Sequence, residues 1–231
     1  QATYIDRDST VKLSQSWDAQ MRLEMEYQID SMNKIILRPQ ISYTNSSYAQ
    51  TNDYVFDRDS VRINDGYQLQ ESLNEEIKAS IRAIYNHKFA KPGRSITMRA
   101  NISFTNTKGN TDTYAWDNIL SRALVDQYTL SHNNALSYSL RTSYVEPIYK
   151  NNHLLEMVLS LSGSNRLSEK NQYTQDSITG QYTVYDSLYS NNLLSSLYSE
   201  QLELNYRWVD KQFDLMVGAR AIAQQTHSRT Y

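Results

Sequence analysis

The chain has 231 residues, no cysteine, 23 basic and 25 acidic residues, and a net charge of −2 at pH 7. These values exclude a disulfide framework, Cys-based zinc or iron–sulfur sites, and the basic surface of a nucleic-acid-binding protein. Only 39% of the residues are apolar, yet 19 are tyrosine. A polar average with an aromatic excess suits a β-barrel that has an apolar outer face and a wet lumen.

The first clear element is a long strand from Trp17 to Ile29. For thirteen residues it is apolar at every odd position and polar at every even one. Successive side chains of a strand point to opposite faces, so one face is apolar and the other carries charged residues such as Arg22 and Glu24. Alternating strands of about 10 residues are typical of transmembrane β-barrels, whereas strands are most often about 5 to 6 residues long.

The same alternation recurs down the chain and predicts about eight strands joined in hairpins. The seven later strands are expected near residues 35–44, 77–89, 96–104, 136–144, 155–162, 198–208 and 213–221. No run of residues approaches the roughly 18 apolar residues of a membrane-spanning helix. The predicted fold is therefore all-β, an antiparallel transmembrane β-barrel.

The connections between the predicted strands are of two kinds. Short turns are expected at Asp30, Pro92, Pro147 and Asp210. They alternate with three long polar segments, which we expect to be loops: residues 49–66, 108–134 and 164–193. Residues 116–124 have apolar side chains at helical spacing, which predicts a short helix in one loop. Outer-membrane barrels combine short periplasmic turns with long extracellular loops in this way.

Aromatic residues mark the two edges of the predicted apolar band. Trp17 and Tyr27 are ten residues apart with the same parity, as are Tyr198 and Trp208. Ten residues at about 3.3 Å, tilted by about 40°, span roughly 25 Å, the height of the apolar band of such barrels. The expected aromatic girdle beside the short turns consists of Tyr27, Tyr85, Phe89, Tyr144, Tyr206, Trp208 and Phe213.

Both ends of the chain are expected on the side of the long segments, because residues 1–16 and 227–231 read as parts of loops. A complete bacterial barrel normally begins and ends on the periplasmic side. We therefore expect residues 1–231 to be a single segment of a larger barrel, without its N-terminal plug domain. A closed eight-stranded barrel filled by side chains and a soluble sandwich with large insertions are the less favoured alternatives.

Two phrases carry a resemblance to a known family. The stretch LRTSYVEP at 140–147, followed by NNHLLE at 151–156, resembles a strand–turn–strand passage in the barrels of Bacteroidota TonB-dependent receptors, the outer membrane protein beta-barrel family. The phrase SWDAQ at 16–20 and the Tyr- and Asn-rich segments share the resemblance, which covers most of the chain.

The resemblance implies a location and a function. It implies the wall and extracellular loops of a bacterial outer-membrane receptor that imports a nutrient or chelate. Its partners would be outer-membrane lipid, and a plug domain and TonB through an upstream region, with a surface lipoprotein left open. A non-transporting surface barrel or adhesin that binds a partner through its loops is the alternative.

Charged residues on the lumen side are one candidate site: Arg22, Glu24, Glu26, Lys78, Arg82, Arg99, Arg141, Glu156, Glu203, Arg207 and Arg220. They could line a substrate path or hold a plug through salt bridges. We expect instead a solvated wall whose charges compensate each other. Glu24 and Glu26 share a face and need basic partners on adjacent strands, for which Arg82, Arg99 and Arg141 are candidates.

Aromatic side chains in the long segments are the candidate ligand-binding residues. Tyr and Trp combine stacking area with a hydrogen-bonding tip, which suits capture of a sugar, a peptide or a partner protein at the barrel mouth. The candidates are Tyr54, Phe56, Tyr114, Trp116, Tyr182 and Tyr185. Packing of the loops against each other is the alternative role for these side chains.

Metal, cofactor and catalytic sites are not expected. The phrase Asp-Arg-Asp-Ser occurs at 6–9 and at 57–60, but it lacks the spacing and the roughly six to eight oxygen ligands of a calcium site. The four histidines are scattered, and His132 with Asp126 is the one pair that could be nominated for acid–base chemistry. We expect no enzymatic activity.

Overall fold

The computed structural model describes residues 4–149, 152–210 and 212–230, which form β-strands joined by turns. The strands are β1 (Tyr4–Arg22), β2 (Met25–Gln28), β3 (Asn33–Arg58), β4 (Val61–Lys88), β5 (Ser95–Asp117), β6 (Arg122–Tyr149), β7 (His153–Gln175), β8 (Tyr182–Val209) and β9 (Asp214–Thr230). Every paired neighbour is antiparallel, in the order β1-β3-β4-β5-β6-β7-β8-β9. The all-β antiparallel prediction is confirmed. No pairing joins β1 to β9 within the described ranges, so the sheet is open there.

The strand predicted from Trp17 to Ile29 is interrupted between β1 and β2, opposite Pro39 of β3. Proline has no N–H to give to the ladder, so one bond is missing there. The Leu23 N–H still donates to the Pro39 carbonyl at 3.1 Å. β2 continues the register of β1 along β3, so the two strands act as one. Counted in this way, the sheet has the eight strands that the alternation predicts.

The three long polar segments are not loops, and this prediction was wrong. They are paired strand for most of their length, and the connections within them are only residues 59–60, 118–121 and 176–181. Both faces are polar here, so the sequence lacks the alternation that reveals a strand. Main-chain pairing and cross-strand contacts hold these strand extensions, such as the 2.9 Å hydrogen bond between the Ser72 and Thr111 hydroxyls.

The short helix predicted within residues 116–124 is also wrong, because the chain makes a tight turn there. β5 continues to Asp117, and β6 begins at Arg122. The Asp117 carboxylate accepts hydrogen bonds from the N–H groups of Ile119 and Leu120, both at 2.8 Å. An aspartate that bonds its own backbone two and three residues on favours a turn over a helix.

Residues that lie opposite each other in the register share a face of the sheet. The apolar face carries Met21, Ile41, Ile81, Ile102, Leu140, Leu161, Leu202 and Val217 on successive strands. The opposite, polar face carries Arg22, Arg38, Arg82, Asn101, Ser139, Ser162, Glu203 and Arg220. Among the described hydrophobic residues only Ala115 and Val158 are buried. The sheet therefore has no hydrophobic core of its own in these ranges.

Candidate functional site

The apolar face carries a continuous band of uncovered hydrophobic side chains. Ile102 and Leu202 are each 52% exposed, and Tyr27 is 66% exposed. Further exposed members of the band are Met21, Met25, Ile41, Ile81, Leu136, Met157, Leu159 and Leu204. An apolar surface that runs across eight strands marks an interaction with a membrane or another apolar partner.

The band crosses the strands obliquely. We call the edge of the band beside the short turns the lower edge and the opposite edge the upper edge, which shows the oblique course first. When the paired residues are followed from each strand to the next, Trp17 on β1 lies level with Asn192 on β8. The aromatic residue that marks this edge on β8 is Tyr198, six residues further along the strand. The band edge therefore drifts relative to the hydrogen-bonded rows of the sheet.

The lower edge drifts by the same amount. When the paired residues are followed across the sheet, Tyr27 on β2 lies level with Leu202 on β8. The aromatic residue that marks this edge on β8 is Trp208, again six residues further along the strand. Six residues are roughly 20 Å along a strand, and the six strand spacings from β1 to β8 are roughly 29 Å. These lengths correspond to a strand tilt of about 35° relative to the normal of the band. Membrane barrels have strand tilts of about 35–45°.

Aromatic side chains contact each other along the short-turn edge. Phe89 lies 6.1 Å from Tyr144 between ring centroids, and Trp208 lies 4.7 Å from Phe213. His87 packs edge-on against Phe89 at 4.4 Å. These contacts fit the girdle predicted from the sequence, and they extend it to histidine.

A second histidine was also missed by the sequence reasoning. His153 stacks on Trp208 at 5.5 Å, and its Nδ1 lies 2.5 Å from the Tyr206 hydroxyl. Both missed histidines have the parity of the aromatic residues on their strands, which is the signal that could have found them. An imidazole, like tyrosine, joins an apolar ring to polar atoms and suits a boundary between lipid and water.

A charged cluster lies directly beside this aromatic edge. The Glu146 carboxylate accepts hydrogen bonds from the Arg94 guanidinium at 2.7 and 2.8 Å, from Lys91 at 2.6 Å and from the Tyr144 hydroxyl at 2.7 Å. These donors, led by Arg94, lower the pKa of Glu146 to about 2. The cluster ties the turn after β4 to the end of β6 in an ionised form at neutral pH.

The strand extensions lie beyond the upper edge of the band. They carry most of the predicted ligand-binding aromatic residues, on the same side of the sheet as the apolar face. Tyr114 contacts Tyr67 at 6.1 Å and stacks on Trp116 at 6.5 Å. Farther along the sheet, Tyr128 contacts Tyr182 at 5.9 Å. Tyr185 packs edge-on against Tyr173 at 5.8 Å.

Acidic groups accompany these rings. The Tyr182 hydroxyl donates to the Asp126 carboxylate, which raises the pKa of Tyr182 to about 12. Burial, with Glu71 and Asp126 nearby, raises the pKa of Asp112. We call these rings and carboxylates the tyrosine and carboxylate surface. It offers hydroxyl and ring contacts on the same side of the sheet as the apolar face.

The other two predicted aromatics lie on the polar face and apart from this surface. Tyr54 lies over Gly66, where an added Cβ would meet both the tyrosine ring and the Trp116 carbonyl. Phe56 stacks on Tyr4 at 5.9 Å. The six predicted residues are therefore not brought together into one site.

The ion pairs on the polar face differ from the predicted ones. Glu24 pairs with Arg38 at 3.0 Å, and Glu26 pairs with Lys34 at 2.6 Å. Both partners lie on β3, so the expected pairing with Arg82, Arg99 and Arg141 was wrong. The reason is that register decides which charges meet, and register is not readable from one strand alone.

The groups that were considered, and not expected, to form catalytic or metal sites lie apart or make other contacts. His132 contacts Glu169 at 3.3 Å and Asn106 at 3.0 Å, and no bond to Asp126 is formed. Asp57 pairs with Arg62 at 2.9 Å. Within the described ranges, no three His, Cys, Asp or Glu side chains could hold a metal ion. The same ranges contain no helix long and apolar enough to cross a membrane.

No family model matches the chain, and no curated protein matches it. Solved structures that resemble it include the ferric preacinetobactin receptor BauA from Acinetobacter baumannii, with a TM-score of 0.45 and 8% identity over 97% of this chain and 42% of that one. P. aeruginosa FpvA, solved with bound heterologous pyoverdines, has a TM-score of 0.45 and 10% identity over 97% of this chain and 38% of that one. The ferric citrate transporter FecA, solved unliganded, has a TM-score of 0.35 and 9% identity over 95% and 38%. The chain spans about two fifths of the length of each.

Proposed function

We propose that this chain forms part of the wall of an outer-membrane β-barrel, with the apolar band facing lipid and the polar face lining the lumen. The observation that carries the proposal is the uncovered band with its oblique course and aromatic edges. Fully burying one large apolar side chain contributes about 1.5–3 kcal/mol. If about ten such side chains stayed half exposed to water, the folded protein would lack roughly 10 kcal/mol of burial free energy. This is comparable with the whole net stability of a typical domain. Contact with lipid removes that cost.

The strand extensions would then project from the membrane on one side. β3 continues past the band for residues 45–58, and β4 begins at Val61, well before its apolar part. Fourteen residues cover roughly 45 Å at about 3.3 Å per residue, which exceeds the band height of about 25 Å. We assign this side to the cell exterior, because the opposite side has only short turns at the band edge.

The finer proposal is a TonB-dependent-receptor-like barrel that imports a nutrient or chelate. The phrases at 16–20 and 140–156 support it through their resemblance to that family. A plug domain and TonB would act through a part of the protein outside residues 1–231. The polar face supports a water-filled or plugged interior, because lumen-facing residues of such barrels are polar.

A second candidate is a surface barrel that binds a partner protein without transport. The specific observation in its favour is the tyrosine and carboxylate surface on the outer side of the extensions. Tyr114, Trp116 and Tyr182 would there face the surroundings of the barrel and not a ligand in its lumen. Uptake assays with the full-length protein separate the two functions, because only a transporter accumulates a solute in an energy-dependent way.

The membrane proposal is tested by the placement of two single cysteines in the full-length protein in intact cells. Ser31→Cys lies in the turn after β2, and Ser177→Cys lies in the turn after β7. An impermeant thiol reagent should label position 177 in intact cells and position 31 only after the outer membrane is permeabilised. Equal labelling of both positions in a detergent-free soluble fraction would overturn the proposal.

A further inference from the structure

Four arginines face each other in two cross-strand pairs on the polar face. Arg38 of β3 lies opposite Arg82 of β4, and Arg99 of β5 lies opposite Arg141 of β6. Like charges placed directly opposite each other destabilise a sheet. The two pairs are also close to each other, because Arg82 lies opposite Asn101, two residues from Arg99 on the same face.

The neighbouring carboxylates compensate only part of this charge. Arg38 has a two-point contact with Glu24, at 3.0 and 3.2 Å. Arg141 reaches Glu203 only at 4.0 Å. Arg82 and Arg99 are exposed and form no ion pair or side-chain hydrogen bond with any described residue. Each of these guanidinium groups therefore retains five free N–H donors.

Arg82 lines a depression in the polar face, and Arg99 lies two residues from Asn101, which also lines it. The depression has a volume of about 410 Å³, and Glu24, the one acidic residue in its lining, already pairs with Arg38. The rest of its lining is rich in hydrogen-bond donors: Arg22, Arg38, Arg82, Gln40, Ser80 and Asn101. The depression is thus a cationic, donor-rich hollow at the height of the apolar band.

We propose that Arg22, Arg82 and Arg99 bind a carboxylate group at this hollow. The inference rests on the proposed function, because it requires the polar face to line a lumen. The planar guanidinium fork matches a carboxylate with two parallel hydrogen bonds, which an ammonium group cannot do. The carboxylate has two sources with the same chemistry: a small carboxylate solute in the lumen, or an acidic side chain of a domain that occupies the lumen.

The test uses the full-length protein in detergent, with succinate as the probe and the double variant Arg82→Gln/Arg99→Gln. If the source is a solute, the wild type binds succinate in calorimetry, and the double variant binds at least about tenfold more weakly. If the source is an internal side chain, the wild type does not bind succinate and the double variant unfolds at a lower temperature. Arg82→Lys/Arg99→Lys should restore only part of either effect.

A matched control removes a positive charge from the same face outside the hollow. Lys12 lies on the polar face of β1, ten residues from Arg22, and Lys12→Gln should leave both measurements unchanged. The inference is overturned if succinate binds wild type and double variant equally. It is also overturned if the wild type does not bind succinate and the double variant is as stable as the wild type or more so, which is the result that relief of arginine repulsion alone would give.

The failure of this inference is distinguishable from failure of the proposed function. A full-length protein that is soluble without detergent would contradict the membrane proposal itself. A membrane-integrated protein whose arginine variants change neither succinate binding nor thermal stability would contradict only the carboxylate site.

Discussion

Tyr138 and Gly163 form a close contact between strands β6 and β7 on the apolar face. The tyrosine ring lies over the glycine, where a Cβ would collide with it. On the other side, Tyr198 of β8 lies opposite the same glycine. The Tyr138 ring thus covers backbone that a glycine leaves bare. Aromatic side chains over sheet glycines are known to stabilise strand pairing.

We expect Gly163→Ala to destabilise the protein by about 1–3 kcal/mol, the usual cost of overpacking. Chemical unfolding of the full-length protein in lipid vesicles measures this change. Adding Tyr138→Ala should remove the clash, so the two substitutions should be non-additive in a double-mutant cycle. A Gly163→Ala variant as stable as wild type would contradict the contact.

The cluster around Glu146 predicts a pH dependence. Its folded pKa, about 2, lies below the ordinary value of 4.5, so its ionised form stabilises the folded state. That contribution is fully present above about pH 4.5 and is lost as the pH falls through about 2. Glu146→Gln should therefore lower the unfolding temperature at pH 7 and have a much smaller effect near pH 2. Arg94→Gln should show the same pattern, and a pH-independent effect would contradict this account.

At the scale of residues, the sequence predicts the type of neighbour but not the particular partner. The aromatic edge beside the short turns was predictable, because parity assigns Tyr144 and Trp208 to the apolar face. The pairing of Glu24 with Arg38 was not, because it depends on the register of β2 and β3. Which charged residues meet depends on the tertiary structure, and no local sequence pattern encodes it.

The membrane proposal gives each strand a lipid-facing side and a lumen-facing side, and β5 offers a matched pair of residues to test it. Ile102 lies on the apolar face, and the adjacent Ser103 lies on the polar face between Ser80 and Ser137. An arginine on the lipid face near the middle of the bilayer costs about 2–4 kcal/mol. We expect Ile102→Arg to lose that much folding stability in vesicles and Ser103→Arg to lose little. Equal losses would contradict the assignment of faces.

At the scale of elements, prediction succeeded where one face is apolar and failed where both are polar. The band segments of β3 and β5 alternate, and this pattern predicts strands. Their extensions, such as residues 49–58 and 108–117, carry polar side chains on both faces, and this pattern predicts loops. Their strand structure comes from pairing with a neighbour, and β propensity without burial is a weak local signal.

The whole molecule is a sheet with one apolar face, one polar face and almost no buried hydrophobic residue in the described ranges. A soluble sheet would cover its apolar face with a second layer. The oblique band and its aromatic edges instead match a wall that crosses a bilayer. In this view the strand extensions present tyrosine outside the membrane, and the arginine pairs present positive charge inside the lumen.

The most direct test of this account is a spin-label accessibility scan of residues 96–104 on β5, with the full-length protein in lipid vesicles. Labels at Ile96, Met98, Ala100, Ile102 and Phe104 should collide readily with oxygen and rarely with a water-soluble nickel chelate. Labels at the intervening positions should show the reverse, which gives a period of two residues. The account is contradicted if the apolar positions are shielded from both reagents, as in a soluble sandwich, or if the alternation is absent.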